Sequence, residues 1–173
     1  MSTVNTEQQI LKTAQRAFHR NLRDPYLYAQ ILTAKAATDV YDAIAKLQEK
    51  MAPNGLLRGL GRLKPLLDRL LEFSFVTEAL LSPDSYLLAL IWGPIKAILT
   101  GSSQDMHVFS KNIEMLEMIG DALPHFGNIV ERFLTDGALR ELLALFYEEL
   151  LEFYCITLVN LKRKCEFIAW TIL

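Results

Sequence analysis

Residues 86 to 99 read YLLALIWGPIKAIL, fourteen positions with one charge, Lys96, and a Gly-Pro pair in the middle. A helix that crosses a bilayer needs about 20 apolar residues, whereas runs of about 10 to 14 more often belong to a protein core. The run therefore predicts a helix inside a folded bundle. Tyr86, Leu87, Leu88, Leu90, Ile91, Trp92, Ile95, Ile98 and Leu99 cover nearly the whole helical circumference, which predicts a central element enclosed by others. Pro94 has no N–H for the carbonyl of Leu90, and its ring crowds that turn. Gly93 beside it supplies slack. Trp92, Gly93 and Pro94 are thus expected to form a kink; the alternative is a helix that ends at Trp92 and a new one that begins with Pro94. Each buried Leu, Ile or Trp contributes about 1.5–3 kcal/mol, so half of this run outweighs the roughly 3 kcal/mol an internal proline costs.

The rest of the chain reads as helices punctuated by turn residues. Thr6 and Gln9 have capping-box spacing, and Ile10, Leu11, Ala14, Ala17 and Phe18 follow at helical intervals, predicting a first helix over 6 to 20. Asp24-Pro25 is a cap followed by a first-turn proline. Residues 25 to 51 form one helix or two, with Thr38 and Asp39 as a second start. In APNGLLRGLGRLKP, residues 52 to 65, proline and glycine are too dense for one regular helix. Helical periodicity resumes at Pro65 and ends at Ser82-Pro83, where Ser82 caps the central run with Asp84 in its first turn. Gly101, Ser102 and Ser103 close that run, and a helix over 104 to 122 follows on Met106, Phe109, Ile113, Leu116 and Ile119. After Leu123-Pro124 comes a short helix with Phe126, Ile129, Val130 and Phe133. The last helix starts near Ala138, with Leu139, Leu142, Leu143, Phe146, Leu150, Phe153, Leu158 and Leu161 as its apolar side. No stretch alternates with period two. The fold class is all-α, a multi-helix bundle of about six to eight helices with a kinked, buried central helix.

A chain of 173 residues is long enough for one domain with a real core. The expected organisation is a single helical domain over 1–173: an N-terminal helical segment at 1–37, a bundle core at 38–164, and an apolar C-terminal extension or truncated helix at 165–173. The net charge of -2 gives no overall nucleic-acid-binding balance. Its distribution is uneven, with ten Lys and Arg against five Asp and Glu in residues 1 to 65, and eight against fifteen thereafter. These are either solvated faces of different helices or the two ends of a polar molecule that meets an acidic surface or its own copies. Cys155 and Cys165, ten positions apart on one helix, point away from each other and do not suit a disulfide. Unpaired thiols and the absence of an apolar leader after MSTVNTEQQ lead to the expectation of a cytoplasmic protein.

Motifs for chemistry are missing. GLGRLK at 59–64 lacks the third glycine and a preceding strand, and no G-x-x-x-x-G-K-[ST] occurs. His19, His107 and His125 lie on three elements without the paired spacing of helical metal sites. Glu148, Glu149 and Glu152 put two carboxylates on one face, most simply a solvated acidic stripe. No catalytic residue, cofactor site or metal site is expected, and neither nucleic acid nor a small-molecule substrate as partner. Lys162, Arg163 and Lys164 could meet phosphate or acidic lipid, or complement a helix C-terminus. Lys12, Arg16, Arg20 and Arg23 make the first helix basic and amphipathic, suited to an acidic membrane surface or an acidic partner.

Three stretches in order, RGLGRLKPLLDRLLEFSFVTEALL, LALIWGPIKAIL and ELLALFYEELLEFY, resemble the helical N-terminal domain of fungal STAND receptors, the NLR-like proteins in which it precedes a NACHT NTPase and ankyrin or other repeats. The resemblance covers roughly residues 38 to 164, and its most distinctive part is IWGPIK, residues 91 to 96. It implies an all-helical, non-enzymatic effector or adaptor module in immune-like signalling or programmed cell death, acting by oligomerisation or partner binding. The alternative is a membrane-engaging cell-death effector. The chain departs from that family in reaching Leu173 without a P-loop.

Overall fold

The computed structural model describes residues 3–51, 60–81, 85–126, 132 and 135–171. Among the described residues there are seven helices: α1 (Thr3–Leu22), α2 (Pro25–Ile31), α3 (Ala37–Met51), α4 (Lys64–Leu81), α5 (Ser85–Ser102), α6 (Met106–Ala122) and α7 (Gly137–Thr171). No strand occurs among the described residues. The chain is an all-α multi-helix bundle.

The apolar run is α5, and it packs against α2, α3, α4, α6 and α7. Leu90, Ile91, Trp92, Ile95, Ile98 and Leu99 are all buried. The helix passes through Gly93 and Pro94 without a break, so the alternative of two helices meeting at Trp92 is excluded. Gly93 has a second role besides slack. A Cβ there would stand 2.8 Å from the carbonyl carbon of Ile31 and closer still to its oxygen, so the backbone end of α2 lies directly on α5. Gly120 is used in the same way, with the backbone of Leu66 at the start of α4 pressed onto α6.

Two tyrosines on α7 secure the proline-bearing helix. Tyr147 donates its hydroxyl to the carbonyl of Leu87 at 3.3 Å, and Tyr154 donates to that of Ile91 at 3.2 Å. They are one heptad apart, so both lie on the same side of α7, and their acceptors are one turn apart on α5. Ile91 belongs to the turn that Pro94 disturbs. Both rings are buried, and burial, with Tyr147 nearby as a lesser cause, pushes the Tyr154 phenol far up. Tyr154 therefore stays a neutral donor. Beside them Phe73 of α4, Phe126 and Phe146 of α7 form an aromatic cluster with ring centroids 4.8–5.6 Å apart.

Several local expectations change. Residues 25 to 51 are two helices, because Asp39 turns its carboxylate back onto the N–H groups of Lys35 and Ala36 and starts α3 afresh. Asp24 caps α2 by accepting from the N–H of Leu27, with Pro25 in the first position, as the sequence indicates. Thr6 does not cap α1, which is already helical from Thr3. Asp105 caps α6 through the N–H groups of His107 and Val108. The cap expected at Ser82–Asp84, most of the glycine-rich break, and Ile129, Val130 and Phe133 lie outside the described residues, as do the side chains of 165–173. From the N-terminal segment, Leu11, Ala14, Phe18, Leu22 and Ile31 belong to the same core as α5 and α7.

Gly93→Ala should destabilise the fold by at least about 2 kcal/mol, since α2 must lift off α5; chemical denaturation measures it. Tyr154→Phe should cost about 1 kcal/mol. If the hydroxyl supports the proline turn, that cost should shrink in a Pro94→Ala background, a coupling that a double-mutant cycle reads.

Candidate interaction surface

α1 lays its apolar side, Leu11, Ala14, Phe18 and Leu22, on the bundle and runs along α7. An ion pair at each end fixes their relative direction. Arg140 Nε lies 3.1 Å from Glu7 Oε1, and Lys162 Nζ lies 2.9 Å from Asp24 Oδ2. Low numbers meet low and high meet high, so the two helices are parallel. Glu7 is almost wholly enclosed, which makes its pairing with Arg140 a condition of burying it. Between the helices lies a cleft of about 440 Å³ whose floor includes Ala17, Phe18, Leu151 and Cys155, with Glu148 and Glu152 also lining it.

The basic residues singled out in the sequence divide by role. Lys12, Arg16 and Arg20 are exposed along α1. Arg23 is exposed too, but its backbone has φ 51°, the left-handed conformation that ends α1 and turns the chain into α2. Lys162 is committed to Asp24 and ties α7 to the α1–α2 elbow. Arg163 and Lys164 are exposed. The cluster does not sit in the last turn of a helix, because α7 continues to Thr171, so complementing the helix dipole is not its role. Trp92, Gly93 and Pro94 are buried.

A feature not anticipated from the sequence is the outer side of α7. Leu142, Leu145 and Ile156 are 59%, 42% and 55% exposed, and Glu149 and Glu152 continue the same line at spacings of three and four. Leu142 thus lies outside the core to which its periodicity assigns it. The signal was present: Leu142, Leu145, Glu149, Glu152 and Ile156 repeat at helical intervals out of phase with Leu143, Tyr147, Leu150 and Tyr154. The three carboxylates at 148, 149 and 152 make no ion pair among the described residues.

The histidines remain apart, and no group of His, Cys, Asp and Glu able to hold a metal ion occurs among the described residues. His125 joins Arg69 and Glu72 at the surface, where Glu72 also accepts from the N–H of Phe126 at 2.8 Å. Cys155 is a buried free thiol at the cleft floor; burial, helped by nearby Glu152, pushes its pKa up, so it is a poor nucleophile. No described helix is long and apolar enough to cross a membrane. No family model, curated protein or solved structure matches the chain.

Asp24 supplies a pH-dependent test of the α1–α2–α7 joint. The N–H of Leu27, and after it the Lys162 ammonium, hold its carboxyl below the ordinary value of 3.8. A lowered folded pKa contributes stability that is complete above the ordinary carboxylate range and is lost as pH falls through the folded value. Asp24→Asn keeps an acceptor for Leu27 but loses the charge. The variant should be less stable than the parent at pH 7, and thermal melts in acid should show the gap closing below the ordinary range.

Proposed function

We propose that the chain is a non-enzymatic protein-interaction module of the signalling type, the N-terminal effector or adaptor domain of a fungal NLR-like receptor, acting in the cytoplasm by oligomerisation or partner binding. The observation that carries this reading is the outer side of α7. Exposed Leu142, Leu145 and Ile156 share one line with Glu149 and Glu152, which make no ion pair among the described residues, the pattern with which one helix meets another, apolar positions giving contact and charges giving register. The resemblance of IWGPIK and its flanking helices to that family supplies the signalling context.

The membrane-engaging alternative rests on exposed Lys12, Arg16 and Arg20. It requires α1 to give up its packing, because Leu11, Phe18 and Leu22, which would enter the lipid, are buried against the bundle. Interaction through the outer surface needs no such unfolding, and is the reading favoured here.

Fused to an oligomerising scaffold, the domain should form larger assemblies than the scaffold alone, measured by light scattering. Leu145→Glu with Ile156→Arg should abolish this while changing stability by no more than about 1 kcal/mol, since both sites are exposed. A domain that adds nothing on any scaffold, or leakage of anionic vesicles by the intact domain, would sink the interaction reading.

A further inference from the structure

Two lines of opposite charge lie on different sides of this bundle. Lys12, Arg16 and Arg20 are exposed at intervals of four along α1. At about 100° per residue, Lys12 and Arg16 stand roughly 100–180° around α1 from Ala14, Ala17, Phe18 and Asn21, the residues that line the cleft with α7. The basic line therefore points away from α7, and a shallow depression of about 250 Å³ lies on it among Gln8, Gln9, Lys12, Thr13 and Arg16. The acidic line is Glu149 and Glu152, set among Leu142, Leu145 and Ile156 on the outer ridge of α7. Ile156 stands on that ridge between two grooves, the α1 cleft and another of about 350 Å³ lined by Val108, Met115 and Phe153. None of these five charged groups makes an ion pair among the described residues.

We propose that the α7 ridge of one copy receives the basic line of α1 from a second copy, in a head-to-tail contact. The proposal rests on the interaction reading above and names its partner. Glu149 and Glu152 are about 4.5 Å apart along α7, and Arg16 and Arg20 about 6 Å along α1, a difference that long side chains absorb. With the two helices parallel, Glu149 meets Arg16, Glu152 meets Arg20, and Leu145 falls on the depression beside Lys12. The aliphatic stems of the basic residues lie over the exposed apolar positions while their charged ends reach the carboxylates. The excess of Lys and Arg in residues 1 to 65, and of Asp and Glu thereafter, acts in the same sense at longer range.

Because the two lines face different ways, one neighbour cannot use both. Each copy keeps a ridge or a basic line for a third, so the contact is heterologous and builds an open chain or a ring. An anionic membrane would satisfy only the basic line and leave the ridge uncovered. Residues 8–23 supply about 24 Å of helix about 10 Å wide, small beside the roughly 800 Å² per partner of a standard interface. The contact is accordingly weak and salt-sensitive, and it is promoted by holding copies together.

Sedimentation velocity on the full chain, across protein concentration and at low and high salt, tests this with two variants that each keep one line. Lys12→Ser with Arg16→Ser and Arg20→Ser removes the basic line, and Glu149→Lys with Glu152→Lys reverses the acidic one. All five positions are exposed, so circular dichroism should show the helicity of the parent in both. The parent should form species larger than a dimer at low salt, and each variant alone should associate at least tenfold more weakly. An equimolar mixture of the variants should stop at a one-to-one pair, because only the acidic ridge of the first and the basic line of the second remain. A parent that stays monomeric or stops at a dimer, variants that associate like the parent, or a mixture that stays monomeric or grows past the pair would overturn the head-to-tail contact. Binding of anionic vesicles by the parent in place of self-association would overturn it as well. If the parent stays monomeric yet the scaffold fusion assembles through Leu145 and Ile156, the interaction reading survives and only the choice of partner fails.

Discussion

Everything in this bundle is arranged around one helix that has no side to show to water. α5 is apolar on nearly its whole circumference, so it is stable only while α2, α3, α4, α6 and α7 cover it. Its burial supplies much of the hydrophobic stabilisation, and it also limits how the covering helices sit. Where α2 reaches it there is no side chain between the two backbones, only Gly93. Where α7 reaches it, two buried hydroxyls find carbonyl acceptors on consecutive turns. The core is thus specified by close backbone approach and by directional bonds as well as by apolar area, which alone would permit many arrangements.

Much of this was legible in the sequence. The length of the apolar run and Lys96 pointed to a core helix, and nearly all-round apolarity pointed to a central one. Asp24-Pro25 announced the start of α2 because capping is local chemistry that needs no knowledge of the rest of the fold. What was not legible depends on neighbours. Gly93 reads as slack in a helix until the end of α2 is seen lying on it. Tyr147 and Tyr154 do not stand out on the last helix, since the acceptor of each hydroxyl sits sixty or more residues away in the chain.

The surface was less legible than the core for a related reason. A long helix with two out-of-phase apolar lines does not say which one is buried. Leu142 and Leu143 are both leucines, and only the packing of the bundle sends the second inward and leaves the first outside. The basic residues have the opposite difficulty. Lys12, Arg23 and Lys162 look alike in sequence, yet one is exposed along α1, one shapes the backbone at an elbow and one is bound to Asp24. Charge identifies a candidate, and geometry assigns its role.

The parallel course of α1 and α7 has a mechanical side. α1 ends at Leu22, close to the level of Lys162, whereas the backbone of α7 stays helical to Thr171. Nine further residues at 1.5 Å each carry it about 13 Å past that tie. The helix is held against sliding and turning by Tyr147, Tyr154 and the ion pairs at Arg140 and Lys162. It resembles a shaft keyed into its housing. A torque or pull applied to the helix beyond that tie would be delivered to α5 and α1 together, and not absorbed by a loose joint on the way.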